Sequence, residues 1–122
     1  MTIRYKSEAF ELSTTNITTV LTCPADATII VKNLQASSHD GASGVNVDAY
    51  LRKSGTTDDV RIAKVEINDN PRFHNLVLTG LNMEASDILK VQADNADDIS
   101  GFVSYALINR SQENGHFPVI YL

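Results

Sequence analysis

Gly44-Val-Asn-Val-Asp-Ala-Tyr-Leu-Arg52 is the stretch on which the fold class turns. Val45, Val47, Ala49 and Leu51 fall on one side of an extended chain, and Asn46, Asp48, Tyr50 and Arg52 on the other. Side chains alternate faces along a strand, so this is a strand with one buried and one solvated side. Working outward, the same period, rich in β-branched residues, runs through 5–12, 17–23, 28–36, 60–67, 73–79, 87–93 and 99–109,. Between these runs lie clusters of turn formers: Thr14-Thr-Asn16, Pro24-Ala-Asp26, Ser37-Ser-His-Asp-Gly-Ala-Ser-Gly44, Ser54-Gly-Thr-Thr-Asp-Asp59, Asn68-Asp-Asn-Pro71 and Asp94-Asn-Ala-Asp-Asp98. A turn at about every tenth residue leaves no room for helical crossovers. The pattern predicts an all-β chain: a single antiparallel β-sandwich, jelly-roll or Greek-key-like, of about eight strands, almost without helix.

Three details refine this expectation. In Val60-Arg-Ile-Ala-Lys-Val-Glu-Ile67 the apolar phase switches between Ile62 and Ala63, as a β-bulge would require or as a strand meeting different neighbours at its two ends would show,. Gly101 stands inside the last long strand, where glycine marks a bend or a close backbone approach,. Beyond Asn109 the alternation stops: Arg110-Ser-Gln-Glu-Asn-Gly-His116 is polar, and Phe117-Pro-Val-Ile-Tyr-Leu122 is apolar with a proline that excludes a central strand,. The expected division is a sandwich domain over 1–109 and an extended C-terminal arm over 110–122, the arm either folding back on its own domain or reaching a neighbouring subunit.

The 122 residues suffice for one core, and 43% hydrophobic with 20% charged residues is the composition of a globular domain,. A net charge of -5 with scattered Lys and Arg argues against nucleic acid,. No apolar run approaches the roughly 20 residues of a membrane span,. The N-terminus lacks the apolar core of a signal peptide, so a protein made and held in a cytoplasm is expected, and the sequons at Asn16 and Asn109 are read as chance matches,. A lone Cys23 at the end of Ile17-Thr-Thr-Val-Leu-Thr-Cys23 allows no intrachain disulfide and suits a small buried residue,.

Catalytic and metal patterns are sparse. Glu84 to Asp98 brackets a strand with four aspartates and a glutamate, but lacks the alternating ligands, glycine and late bidentate Glu of an EF-hand,. A solvated turn carrying a left-handed Asn95 accounts for Asp94, Asp97 and Asp98, and Asp58, Asp59 and Asp69 read as loop acids,. His39, His74 and His116 share no metal-ligand spacing, no Gly-x-Ser-x-Gly elbow is present, and Gly41-Ala-Ser-Gly44 lacks a phosphate-binding lysine,. No cofactor, no metal and no enzymatic activity are expected. Tyr50, on the polar side of its strand, is the one aromatic placed for stacking on a sugar, unless it is an ordinary tyrosine packed on the sheet surface.

Four segments in order, Thr15-Asn-Ile-Thr-Thr-Val20 with Pro24-Ala25, Ile30-Val-Lys-Asn-Leu34, Met83-Glu-Ala-Ser-Asp-Ile-Leu-Lys-Val-Gln-Ala93 and Phe102-Val-Ser-Tyr105, carry a resemblance. Over about residues 5 to 109 the chain resembles small β-sandwich virion proteins of tailed bacteriophages, of the capsid decoration, head-fibre or tail-accessory kind. Ser86 stands where that pattern has a turn glycine, and residues 110–122 have no counterpart in it. The resemblance implies a non-enzymatic capsid decoration or accessory protein, assembled in the host cytoplasm and located in the virion, bound to the major capsid protein and homo-oligomeric, for example trimeric. Alternatives are a tail or head-tail junction protein, or a carbohydrate-binding module for host glycan. Subunit contacts are expected at Tyr5, Phe10, Phe117, Val119, Ile120 and Tyr121.

Overall fold

The structure is a computed structural model that describes residues 2–38, 44–68, 73–77 and 80–109. The described residues form nine strands: β1 (Thr2–Leu12), β2 (Thr18–Thr22), β3 (Ala27–Ser38), β4 (Val45–Arg52), β5 (Val60–Ile67), β6 (Phe73–Val77), β7 (Leu81–Met83), β8 (Ile88–Ala93) and β9 (Ile99–Asn109). One sheet runs β1-β9-β3-β6, with β7 also on β3, and the other runs β2-β8-β4-β5. Every pairing is antiparallel. The chain crosses from one sheet to the other at every connection except β4–β5 and β6–β7, the arrangement of a jelly roll,. The expected eight strands become nine because β6 and β7 share one position. The first pairs with the Leu34–Ser37 part of β3 and the second with Ile29–Val31. Three residues of β7 are too few to show a period in the sequence.

The core follows from the alternation. Ile29, Val31, Leu34 and Ala36 of β3 face Val45, Val47 and Ala49 of β4 and Leu89 and Val91 of β8 across the sandwich, all buried. Cys23 is buried among them, its thiol donating to the Ala27 carbonyl at 3.4 Å. Ala49 pairs with Ala63 but Tyr50 with Arg61, so Ile62 is the extra residue of a bulge, which explains the phase switch seen there. A bulge at Lys32, between Val31 and Asn33, shifts the phase of β3, so that the inward positions pass from Ile29 and Val31 to Leu34 and Ala36.

β1 starts earlier than its alternation suggested, at Thr2, because its residues from Ile3 to Ala9 are all exposed and carry no apolar period. Registers opposite β9 put Arg4, Lys6, Glu8 and Phe10 on the core-facing side, beside Leu107, Tyr105, Val103 and Gly101. Ile3, Tyr5, Ser7 and Ala9 lie on the outer side.

Gly101 is a close-approach position. A Cβ there would meet the Gln35 carbonyl oxygen, the Phe10 ring and Ala36. The Phe10 ring therefore fills the space that a side chain would need. Gly101→Val should lower stability by roughly 2 to 3 kcal/mol through overpacking, read as a lower urea midpoint with an unchanged slope.

Candidate functional site

The acidic bracket is a structural corner. The chain leaves the first sheet at Met83 and enters the second at Ile88, and Asp87, only 1% exposed, sits in the crossing. Its carboxylate accepts from the Ser54 amide at 2.8 Å, the Glu84 amide at 2.9 Å and Lys53 Nζ at 2.6 Å. Burial pushes the carboxyl upward, but the Lys53 hydrogen bond and the two amides outweigh it and hold the group below the usual carboxylate range,. Ser86, in the place of the expected glycine, has φ +68, so this turn does demand a left-handed residue and a serine bears it,. Beside it the Cys23 amide donates to the Asp87 carbonyl and the Ser86 amide to the Cys23 carbonyl, both at 2.9 Å, docking the end of β2 on the corner.

The exit turn is structural as well. Asp94 accepts from the backbone amide of Asn46 at 3.0 Å and from its side chain at 2.9 Å, and the Asp97 amide donates to the Leu12 carbonyl. The left-handed residue of this turn is Asp97, with φ +63, and not Asn95 as the sequence suggested. Asn95 is more tolerant of that region, but the hydrogen bond from Asp97 to Leu12 sets which residue enters it. Among the described residues no group of three or more His, Cys, Asp or Glu is placed to hold a metal ion, and no helix is long and apolar enough to cross a membrane.

The outer side of the second sheet is polar and interlocked. Tyr50 is 9% exposed, its hydroxyl reaches Gln92 Oε1 at 3.0 Å and Asp48 Oδ2 at 3.2 Å, and Arg61 lies over its ring. It presents no bare ring to a sugar, so the sheet-surface alternative describes it. Arg61 also donates to Asp48 at 3.1 Å, while Arg52 and Lys90 converge on Asp59 at 2.9 and 3.1 Å. The Lys90 and Arg52 bonds hold the Asp59 carboxyl below its ordinary value. An open depression of about 450 Å³ borders this network, lined by Thr15, Asn46, Asp48, Lys64, Gln92 and Asp94. Its groups are hydrogen-bonding ones with no nucleophile-base pair.

The first sheet offers a different surface. Tyr5 is 74% exposed on β1, with Lys32 Nζ 4.9 Å from its ring centre, and Ile3 is half exposed beside it. Phe10 is partly buried against Gly101. Phe117, Val119, Ile120 and Tyr121 lie outside the described residues, as do His39 and His116, while His74 is half-buried on β6. Beneath β1 the two sheets part into an open cleft of about 330 Å³, with Lys6, Glu8, Thr19, Val20 and Leu107 among its walls. There the Tyr105 hydroxyl donates to Glu8 Oε2 at 2.8 Å, and burial together with Glu8 pushes Tyr105 up to about 12.

Asp87→Asn should lower stability by roughly 2 to 3 kcal/mol at neutral pH, through loss of charge-assisted hydrogen bonds. Because the folded carboxyl titrates below its ordinary value, its contribution is full above that value and is lost as pH falls through the depressed one,. The gap between wild type and variant therefore narrows below about pH 4. Denaturation at pH 7 and pH 3 checks this, and an equal gap at both would count against it.

No protein-family model matches the sequence, and no curated protein matches it. Among solved structures, the chain is similar to one in the acidic stable capsid of Helicobacter pylori bacteriophage KHP30, at 10% identity over 88% of each chain and a TM-score of 0.57. It is also similar to the Drosophila NLP-core, a structure described in terms of pentamer formation and histone binding, at 9% identity over 84% of this chain and 97% of that one, with a TM-score of 0.52. At such identities the likeness is one of fold: the chain shares its two-sheet sandwich with a phage capsid chain.

Proposed function

We propose that this protein is a non-enzymatic structural component of a bacteriophage virion, a decoration or accessory protein that binds the major capsid protein and associates with copies of itself. The observation that carries this reading is the likeness of fold over 88% of both chains to a KHP30 capsid chain. It agrees with the phage-type segments at Thr15–Val20, Ile30–Leu34, Met83–Ala93 and Phe102–Tyr105, which fall in this structure on strands and on the turns between them. The physical character of the chain suits the role. Many described polar groups serve corners and sheet surfaces, the acidic sandwich leaves the β1 edge open to a neighbour, and the sequence after it ends in the apolar run Phe117-Pro-Val-Ile-Tyr-Leu122,. Tyr5, Phe10, Phe117, Val119, Ile120 and Tyr121 are the proposed contact residues.

The test is binding to purified capsids. The full chain should co-sediment saturably with capsids, and particle imaging should place it on the capsid lattice at lattice stoichiometry. A ring of few copies at the tail would move it to the tail reading, and no particle binding would remove the virion role. Deleting residues 111–122 should weaken incorporation by about tenfold or more, the loss expected when a cluster of apolar anchors is removed. Unchanged incorporation would take the arm out of the contact.

A further inference from the structure

The β1 edge has β9 on one side and, among the described residues, no strand on the other. It is long, and from Ile3 to Ala9 every residue is exposed on both sides of the sheet. Such an edge is a template for strand addition, and charges on its core-facing side restrict what can add to it. Here those charges are Arg4, Lys6 and Glu8, followed by Phe10. Glu8 is held in place by Tyr105, and Lys6 has no ion-pair partner among the described residues.

We infer that β1 is a homotypic docking edge that pairs antiparallel with β1 of a second copy about a two-fold axis at Ser7. Ser7 is the midpoint of Thr2–Leu12, so this register overlaps the whole strand. It sets Lys6 opposite Glu8 of the partner subunit, twice by symmetry, and Arg4 opposite the ring of the partner's Phe10, also twice. On the outer side Tyr5 meets the partner's Ala9, and Ser7 meets its own copy. The neighbouring registers that keep core-facing side chains together are centred on Lys6 or on Glu8. The first sets Arg4 opposite Glu8 of the partner subunit, twice, but puts lysine against lysine on the axis and shortens the overlap, and the second sets glutamate against glutamate and leaves Lys6 opposite the partner's Phe10. Parallel pairing in register would oppose like charges throughout and does not close. Charge complementarity thus selects the register of fullest overlap, joining the two β1-β9-β3-β6 sheets into one. The contact is narrow, so a weak, roughly micromolar association is expected.

This inference deepens the self-association in the proposed function and is independent of where in a virion the protein sits. Its test uses the purified full chain without capsids, followed by sedimentation velocity across concentration. Wild type should form a two-chain species. Lys6→Glu and Glu8→Lys should each weaken it by about tenfold, since both symmetry-related pairs turn from attraction to repulsion. Mixed in equal amounts, the two variants should associate again, because the mixed pair has opposite charges at both crossings. A mixture of Lys6→Glu with Glu11→Lys should associate no more than Glu11→Lys does alone, because Glu11 lies outside both crossings. Should Glu8→Lys unfold, Ser7→Cys provides the second reading: an added oxidant should give an interchain disulfide there and none in Glu11→Cys. A wild type that stays monomeric, as it would if its own residues 110–122 covered β1, overturns the inference. So does a trimer, an effectless reversal, or a mixture no stronger than its parts. Lost self-association with intact capsid binding removes this inference alone.

Discussion

A single carboxylate withdrawn from water sets the corner around which the second sheet is built. Leaving Asp87 buried and unpaired would be unfavourable by several kcal/mol. Two backbone amides and one ammonium remove that penalty, and each comes from a defined place: Glu84 from the crossing itself, Lys53 and Ser54 from the end of β4. Satisfying the charge therefore fixes the β4–β5 turn against the β7–β8 crossing. The paired Cys23 hydrogen bonds then draw in the end of β2. β2, β8 and β4 are consecutive in the second sheet, so one polar cluster aligns three neighbours whose apolar faces carry the packing energy.

The two sides of the sandwich are unequal, and strand length is the reason. β1 has eleven residues and β2, at the corresponding edge of the other sheet, has five. So short a strand cannot cover the core-facing side of β1 along its length. The uncovered positions must tolerate water, and they are Arg4, Lys6 and Glu8, where β3 and β8 have Ile, Val, Leu and Ala. The cleft beneath β1 and the charges above it are two aspects of the same length mismatch.

Much of this was legible in the sequence where burial is one-sided. Val45 to Leu51 alternate because one face of β4 is core, and the Ile62 bulge and the Gly101 approach showed as breaks in the same rhythm. What escaped detection lacked that asymmetry. β7, at three residues, is too short to establish the two-residue alternation, and the first residues of β1 are solvated on both sides,. Asp87 looked like the first residue of a strand because an aspartate before an apolar run is the ordinary mark of a turn. Its burial depends on Lys53 and Ser54, more than thirty residues away. Tyr50 posed a similar difficulty: its strand face was readable, but the network of Asp48, Arg61 and Gln92 that covers it is assembled from three strands.

An edge of this kind separates affinity from selectivity. Backbone hydrogen bonds between antiparallel strands form about equally well in many registers, so they supply attraction without choosing among alignments. An exposed cross-strand ion pair adds only about 0.2 to 1 kcal/mol, and a like-charge pair subtracts a similar amount. Across a two-fold axis each such pair away from the axis counts twice, so a step towards Glu8 forfeits both attractions, a step towards Lys6 only exchanges them for two Arg4–Glu8 pairs, and either step introduces a repulsion on the axis itself. Selection through penalised alternatives needs no strong contact. A row of Val and Ile at the same positions would bind more tightly and far less selectively, since apolar side chains penalise no alignment.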